Sequence, residues 1–427
     1  MRFTSPQSVW QYLESIPKFQ SRGSSAADFD LSRFRNFCEA IGNPQKEFDS
    51  IHVGGTNGKG STCNILASVL QKAGYKTGVY TSPHIITFNE RFRADGDLIS
   101  SDELLQFFNT CIDAIEKYRL TYFEISTAIA FWWFARLNVD IACIEVGLGG
   151  RLDATNIIDP KISVITSISL DHTDILGDSI AEIAREKAGI LKEGRPVVIG
   201  DLPIEARKEV VKIAEQKECP LHTIDDLRPE YITPGHYQLT VDERTIDILS
   251  NLTAPVQAKN MAIVWQICSA IGEKYGNITE ENFTSGLKDV NTGLGRFECL
   301  VDGKQWYFDG GHNLEAIKGL KESVKTVGDI ERATLVLSMM QDKIREEVMT
   351  EFLEFKNIYY YSLNLERAAT FDDIKQWLPN ANPFPASDED RKNVMQDDLN
   401  SELVIFSGSF YFYETVRDWV STFALNQ

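Results

Sequence analysis

Short apolar runs alternate along the chain with longer stretches in which apolar positions recur every three or four residues. That alternation predicts α/β architecture, a mostly parallel sheet with helices on both faces. Two short helices are expected before residue 48, then a strand at Ser50–Val53, a helix from Lys59 to Ala73, the strand KTGVYTS, and helices over Asp102–Arg119 and Phe123–Leu137. The strands DIACIEVG and KISVITSIS follow, then a helix over Ser179–Leu191 and the strand RPVVIG. Between His222 and Ser250 the alternation in YQLTVDERTIDIL predicts a hairpin appended to the main sheet, and helices over 256–271 and 279–289 close this first unit.

Gly293 and Gly295 then mark a linker, so the expected division is 1–293, a linker at 294–298, and 299–427. The alternation restarts with the hairpin RFECLVDGKQWYFDGG, turning at Asp302-Gly303, and continues through ATLVLS, NIYYYSL and ELVIFSG to a helix over Tyr411–Phe423. SDEDRKN near 387 reads as a solvated loop. Ligands of such sheets sit at the carboxyl ends of the strands, which points to work done between two α/β domains.

Composition narrows the class. A chain of 427 residues with 43% hydrophobic and 25% charged side chains is an ordinary globular protein of more than one domain. The most apolar window, ISTAIAFWWFARL, is too short to span a bilayer, and the polar start with Pro6 and Pro17 is no signal peptide. Seven scattered cysteines without a CxxC pair argue for a reducing cytosol and against a zinc ribbon. The net charge of −19 disfavours nucleic acid, so any anionic ligand needs locally concentrated positive charge.

IHVGGTNGKGST offers that concentration. Its spacing is not that of a Walker A loop, since Val53 stands where the first glycine belongs and Gly60 where the hydroxyl belongs. Glycines at 54, 55, 58 and 60 nevertheless let backbone N–H groups turn inward at a helix N-terminus, with Lys59 as point charge and Ser61 or Thr62 as hydroxyl. A nucleotide phosphate calls for Mg²⁺ and oxygen ligands. Ser82 in TSPH, Glu145 in DIACIEVG, and Asp171 with His172 in LDHTDILG all fall at strand ends; singly each reads equally well as solvated or buried, together they read as a site. In the next helix Lys187 falls on the apolar stripe of Ile180, Ile183, Ala184, Ala188 and Leu191. Such a lysine ordinarily snorkels to water; if desolvated, its neutral amine can add carbon dioxide to give a carbamate, a carboxylate-like metal ligand.

The ordered strings GNPQ, GGTNGKGST, TSPH with FNERFR, TYFE, EVGLGGRLDATN, LDHTDILG and AREKAGILK, followed by TGLGRFE, FDGGHN and SGSFY, run nearly end to end. Together they resemble the folylpolyglutamate synthase and dihydrofolate synthase family of the Mur ligase superfamily. The resemblance implies a P-loop ATPase domain with a mostly parallel sheet and a smaller Rossmann-like α/β C-terminal domain. It implies that Gly55, Thr56, Asn57, Gly58, Lys59, Gly60 and Ser61 bind ATP phosphates, with Asn260, Arg296 and Asp309 also on the nucleotide. Ser82, Glu145, His172 and a carbamoylated Lys187 would serve Mg²⁺, with a monovalent cation such as K⁺ as a further cofactor. Lys187, Lys59 and His312 become the catalytic candidates, and Thr121, Phe123, Asp153, Ala154, His312 and Ser409 the substrate contacts. Two departures stand out: Val256 replaces the usual histidine before Gln257, and Gly311 replaces the alanine of DGAHN, a change expected to be harmless.

The implied reaction is ATP-dependent addition of L-glutamate to dihydropteroate or to a folate through an acyl phosphate, in folate biosynthesis and one-carbon metabolism. Charge neutralisation and positioning would carry it, with NTGLGR as hinge for a closure that excludes water. The family implies a cytoplasmic monomer with small-molecule partners only. A muramyl-peptide ligase would share the loop and the lysine but lack TYFE and GGRLDATN; a GTPase would need an NKxD motif, which is absent; a non-catalytic nucleotide-binding module would not need the metal ligands.

Overall fold

A computed structural model describes residues 2–16, 30–272, 274–276, 278–291, 293–385, 387–395 and 403–424. The chain divides into two units, one of residues 1–230, 236–251 and 258–292, the other of 231–235, 252–257 and 293–427.

The first unit is built on a sheet of β1 (Asp49–Gly54), β2 (Thr77–Tyr80), β3 (Phe92–Ala94), β4 (Asp97–Leu98), β5 (Ile141–Glu145), β6 (Ile162–Ile165), β7 (Val197–Ile199) and β8 (Leu221–Thr223). The strand order is β4-β3-β2-β5-β1-β6-β7-β8, parallel except for the β2–β3–β4 edge. β5 and β6 are buried at every residue, as continuous apolar strands covered on both faces must be. β1 pairs with β5 through Val53↔Glu145 and with β6 through Gly54↔Ile165, so three strand ends converge where the glycine loop begins.

The covering helices start where capping residues predict. Ser100 caps Ser101–Tyr118, Thr121 caps Tyr122–Arg136 and Ser179 caps Ile180–Ala188, each in a reciprocal box with a glutamate three residues on. The window ISTAIAFWWFARL lies in Tyr122–Arg136 and is nearly all buried, and among the described residues no helix is long and apolar enough to cross a membrane. Phe34, Phe37, Phe107, Phe108, Phe131 and Phe134 pack into one core. Phe134 lies over Gly78 of β2, where an added Cβ would stand 3.0 Å from the ring. No disulfide forms among the seven cysteines, and only Cys299 is exposed.

The hairpin expected after His222 exists, His236–Val241 pairing antiparallel with Arg244–Leu249, but it does not extend the main sheet. It joins Arg228–Thr233 in a separate three-stranded sheet, and burial alternates along its strands, so one face is covered.

The second unit carries a six-stranded sheet in the order Glu298–Cys299, Trp306–Asp309, Val404–Ser407, Thr334–Leu337, Asn357–Tyr360, Ala381–Pro383. All pairs are parallel except the first, whose connection includes the turn Val301–Lys304 around Asp302-Gly303. SDEDRKN is not a loop: Asp388–Asn393 is a short helix capped by Ser387, with Arg391 bonded to Asp388 and lying 4.9 Å over the Trp419 ring. Its three acidic residues at the helix start suit the helix dipole, which a count of charges alone does not reveal.

Replacing Phe134 with alanine is expected to cost about 3–5 kcal/mol of the first unit's stability, read as a lowered urea midpoint.

Candidate active site

At the end of β1 the chain turns its amides inward by adopting φ of 140° at Gly55 and 83° at Gly58. A Cβ on Gly55 would stand 2.0 Å from Thr166 Oγ1, and one on Gly58 2.7 Å from Asn260 Oδ1, so only glycine fits at either position. The segment after β6 clamps the loop: Thr56 N donates to Ser167 O at 2.8 Å, Asn57 N to Ser167 Oγ at 3.0 Å, and Thr166 Oγ1 to Asn57 O at 2.7 Å. Ser169 N closes the clamp on Thr56 Oγ1 at 3.1 Å. The helix Lys59–Lys72 starts at Gly58, with Gly60 and the buried Ser61 in its first turn, so its free amides and dipole face the loop's concave side. Lys59 Nζ donates to Thr56 O at 3.0 Å, folded back over its own loop.

Glu145 ends β5 buried beside this turn. Its Oε2 accepts from Ser82 N at 2.9 Å, and a Cβ on Gly60 would lie 3.3 Å from the same oxygen. His172, at a left-handed φ of 48°, and Asp171 lie across a small cavity of about 40 Å³, bounded also by Gly55, Thr56, Lys59, Val146, Gly147, Leu148, Gly149 and Lys187. Among the described residues no three His, Cys, Asp or Glu side chains group to hold a metal. The expected ligands would supply one carboxylate, a hydroxyl and an imidazole; Ser82 meets Glu145 through its backbone N–H, and His172 lines the cavity. That set suits a cation such as Mg²⁺, which keeps several waters and takes other oxygens from phosphate.

Lys187 is buried, on the apolar face of its helix with Ile183, Ala184 and Ala188. Its Nζ donates to Gly55 O at 2.8 Å. Burial pushes its ammonium down to about 7; the Lys59 charge adds to the shift, while Asp171 and Asp153 oppose it. Gly150 allows this approach, since a Cβ there would lie 2.8 Å from the carbonyl oxygens of Glu186 and Lys187.

The expected substrate contacts are structured differently from one another. Thr121 is the cap of its helix, its hydroxyl accepting from Glu124 N at 3.3 Å. Phe123 packs its ring on Gly147, where a Cβ would lie 2.3 Å from it, and 6.2 Å from the Tyr80 ring. Ala154 is buried. The Asp153 carboxylate takes the amides of Gly147, Leu148 and Thr155 at 3.0, 2.9 and 3.0 Å and the Thr155 hydroxyl at 2.5 Å. Burial pushes its pKa up against those four bonds.

Residues 53–267 match the Mur ligase middle domain. The dihydrofolate synthase/folylpolyglutamate synthase of Bacillus subtilis is 34% identical over 91% of this chain and 94% of its own length. The chain belongs to the dihydrofolate synthase/folylpolyglutamate synthase family. The folylpolyglutamate synthase of Thermotoga maritima superposes with a TM-score of 0.79 at 30% identity, over 98% of this chain and 97% of its own. Escherichia coli FolC, solved with ADP and without folate substrate, gives 0.83 at 29% identity over 98% of both chains.

In this family member the second unit groups its own candidates. Asp309 Oδ1 accepts from Gly311 N at 2.8 Å and Oδ2 from Phe297 N at 3.0 Å; burial raises its pKa while the Arg296 charge opposes the rise. The Arg296 guanidinium lies 4.4 Å from the Phe410 ring centre, His312 Nδ1 is 2.9 Å from Gly310 O, and Ser409 Oγ accepts from Tyr411 N at 3.2 Å. A Cβ on Gly311 would stand 2.8 Å from Asp309 Oδ1. The Gly311 departure is therefore coupled to the aspartate's position. Sequence reasoning missed Thr166, Ser167 and Ser169, whose only signal was an unusual run of hydroxyls at a strand end.

Gly58→Ala is expected to strain the loop by about 1–2 kcal/mol and to weaken ATP about tenfold, measured by titration calorimetry; unchanged affinity would remove the Gly58–Asn260 approach from the nucleotide site.

Proposed function

We propose that this protein is an ATP-dependent amide ligase that adds L-glutamate to dihydropteroate and to the γ-carboxylate of tetrahydrofolate polyglutamates. The observation that carries this reading is the buried Lys187 bonded to the carbonyl of the phosphate loop in a chain matching the family end to end. The loop of Gly55 to Ser61 receives the ATP phosphates, with Lys59 and Asn260 beside them. A γ-phosphoryl group passes to the substrate carboxylate, giving an acyl phosphate. The amine of L-glutamate attacks its carbonyl carbon, and the tetrahedral adduct expels phosphate to leave the amide.

Little covalent work falls to the protein, so positioning and positive charge dominate. Glu145, Ser82 and His172 would hold Mg²⁺, which when bound would supply neutralisation of phosphate charge. K⁺ is a second proposed cation. Lys187 is proposed to act as its carbamate: with a pKa of about 7 much of the amine is neutral near neutral pH and can attack CO₂. Asp309 and Arg296 serve the nucleotide, and His312 and Ser409 the incoming glutamate. The 299–427 segment is the proposed glutamate domain, and 294–298 its hinge. We take the protein to be a cytoplasmic monomer. Thr121, Phe123, Asp153 and Ala154 frame the pterin; for Asp153 this frame is indirect, because its carboxylate is spent on protein donors.

ADP release is expected only when MgATP, L-glutamate and a pteroate or folate are present together; equal release with a muramyl nucleotide would sink the assignment. Lys187→Ala should lower kcat by at least about a hundredfold, with part restored by small carboxylic acids, and a fully active variant would refute its role. Only the neutral amine reacts with CO₂. Reactivation of CO₂-depleted enzyme at fixed dissolved CO₂ should therefore quicken from about pH 6 to about pH 8 and level off above, followed by stopped-time assays.

A further inference from the structure

His52 is wholly buried in the middle of β1, between Ile144 of β5 and Ser163 of β6, two residues before the phosphate loop. Its Nε2 lies 2.8 Å from Thr155 Oγ1, and that hydroxyl lies 2.5 Å from Asp153 Oδ1. A hydroxyl has one proton and an ionised carboxylate only accepts. Three backbone N–H groups already donate to Asp153, as a carboxylate requires; Thr155 then donates to Asp153 and accepts from His52 as the Nε2–H tautomer. Its other nitrogen, Nδ1, is buried with no hydrogen-bond partner among the described residues. Burial, with the Lys192 charge behind it, pushes the imidazole pKa down to about 3, so the ring is neutral.

An orphaned buried acceptor is destabilising, because it leaves water without gaining a partner. An aliphatic side chain between Ile51 and Val53 would fill the same place without that cost, so the histidine is explained by the proton it donates. The bonds continue beyond Asp153, whose second oxygen holds the amides of Gly147 and Leu148, two residues that wall the cavity containing Lys187 and His172.

We propose that His52 is a positioning residue: through Thr155 it holds Asp153 in the orientation that fixes the Gly147–Leu148 wall of the Lys187 cavity. The kinetic part of its test rests on the ligase reading above; the exchange part does not.

The experiment compares Thr155→Val, Thr155→Ser, His52→Leu and His52→Gln in the full-length protein. Valine matches threonine in shape and lacks the hydroxyl; glutamine can donate from near the Nε2 position. Amide exchange at Gly147 and Leu148 should quicken at least about tenfold in Thr155→Val and His52→Leu, and return to within about threefold of the parent in Thr155→Ser and His52→Gln. In the same pairs kcat should fall at least about tenfold and recover, with KM for ATP within about twofold throughout. Nitrogen NMR should show His52 as the neutral Nε2–H form. The proposal is overturned by an Nδ1–H tautomer, by parental exchange in Thr155→Val, or by Thr155→Ser as impaired as Thr155→Val. If His52→Leu does not fold, the Thr155 pair decides. If the parent shows no ligase turnover, the ligase reading fails, and exchange still decides the relay.

Discussion

The backbone turn at Gly55 and Gly58 is the constraint on which the first unit's chemistry depends. Amides can point inward only if both residues take positive φ, and the space a side chain would need is already held by Thr166 and Asn260. The same turn exposes the first amides of the helix Lys59–Lys72 and aims the Gly55 carbonyl at Lys187. The inward-facing amides of the proposed phosphate loop and the buried lysine are thus two consequences of one backbone path. The hydroxyl-lined strand end Thr166–Ser169 holds that path by hydrogen bonds.

Electrostatics follow from the same geometry. The chain carries a net charge of −19, yet it brings Lys59 and Lys187 to one small cavity. Burial first, and the nearby Lys59 charge second, favour the neutral form of Lys187. Asp171 and Asp153 limit the shift without cancelling it. A lysine poised near neutrality is the chemical requirement for carbamate formation, and it arises here from burial more than from any single partner.

Much of this was legible in the residues. β1, β2, β5, β6 and β7 fell where the apolar periodicity put them, because β5 and β6 are buried on both faces and the covering helices carry capping boxes; the short strands β3, β4 and β8 and the helix Ile204–Gln216 were not anticipated. The position of Lys187 on an apolar stripe was visible for the same reason: a helix of known phase places residue 187 with 183 and 184. The His236–Leu249 hairpin was not placed correctly, since strand alternation shows that two strands pair but not which sheet they join. SDEDRKN read as a loop because its charges conceal a capped turn whose arginine finds Trp419 far along the chain.

By itself the sequence determined the periods, the caps, the glycines that permit positive φ, and the residues able to do phosphoryl and acyl chemistry, because these are properties of neighbours along the chain. Tertiary structure decided which of those residues meet. Only folding could desolvate Lys187, place Asn260 against Gly58, commit all of the Asp153 oxygens to protein donors, and strand one nitrogen of His52 in the core. Desolvation and hydrogen-bond competition depend on partners more than a hundred residues away, as between Lys187 and Gly55, and no local pattern records them.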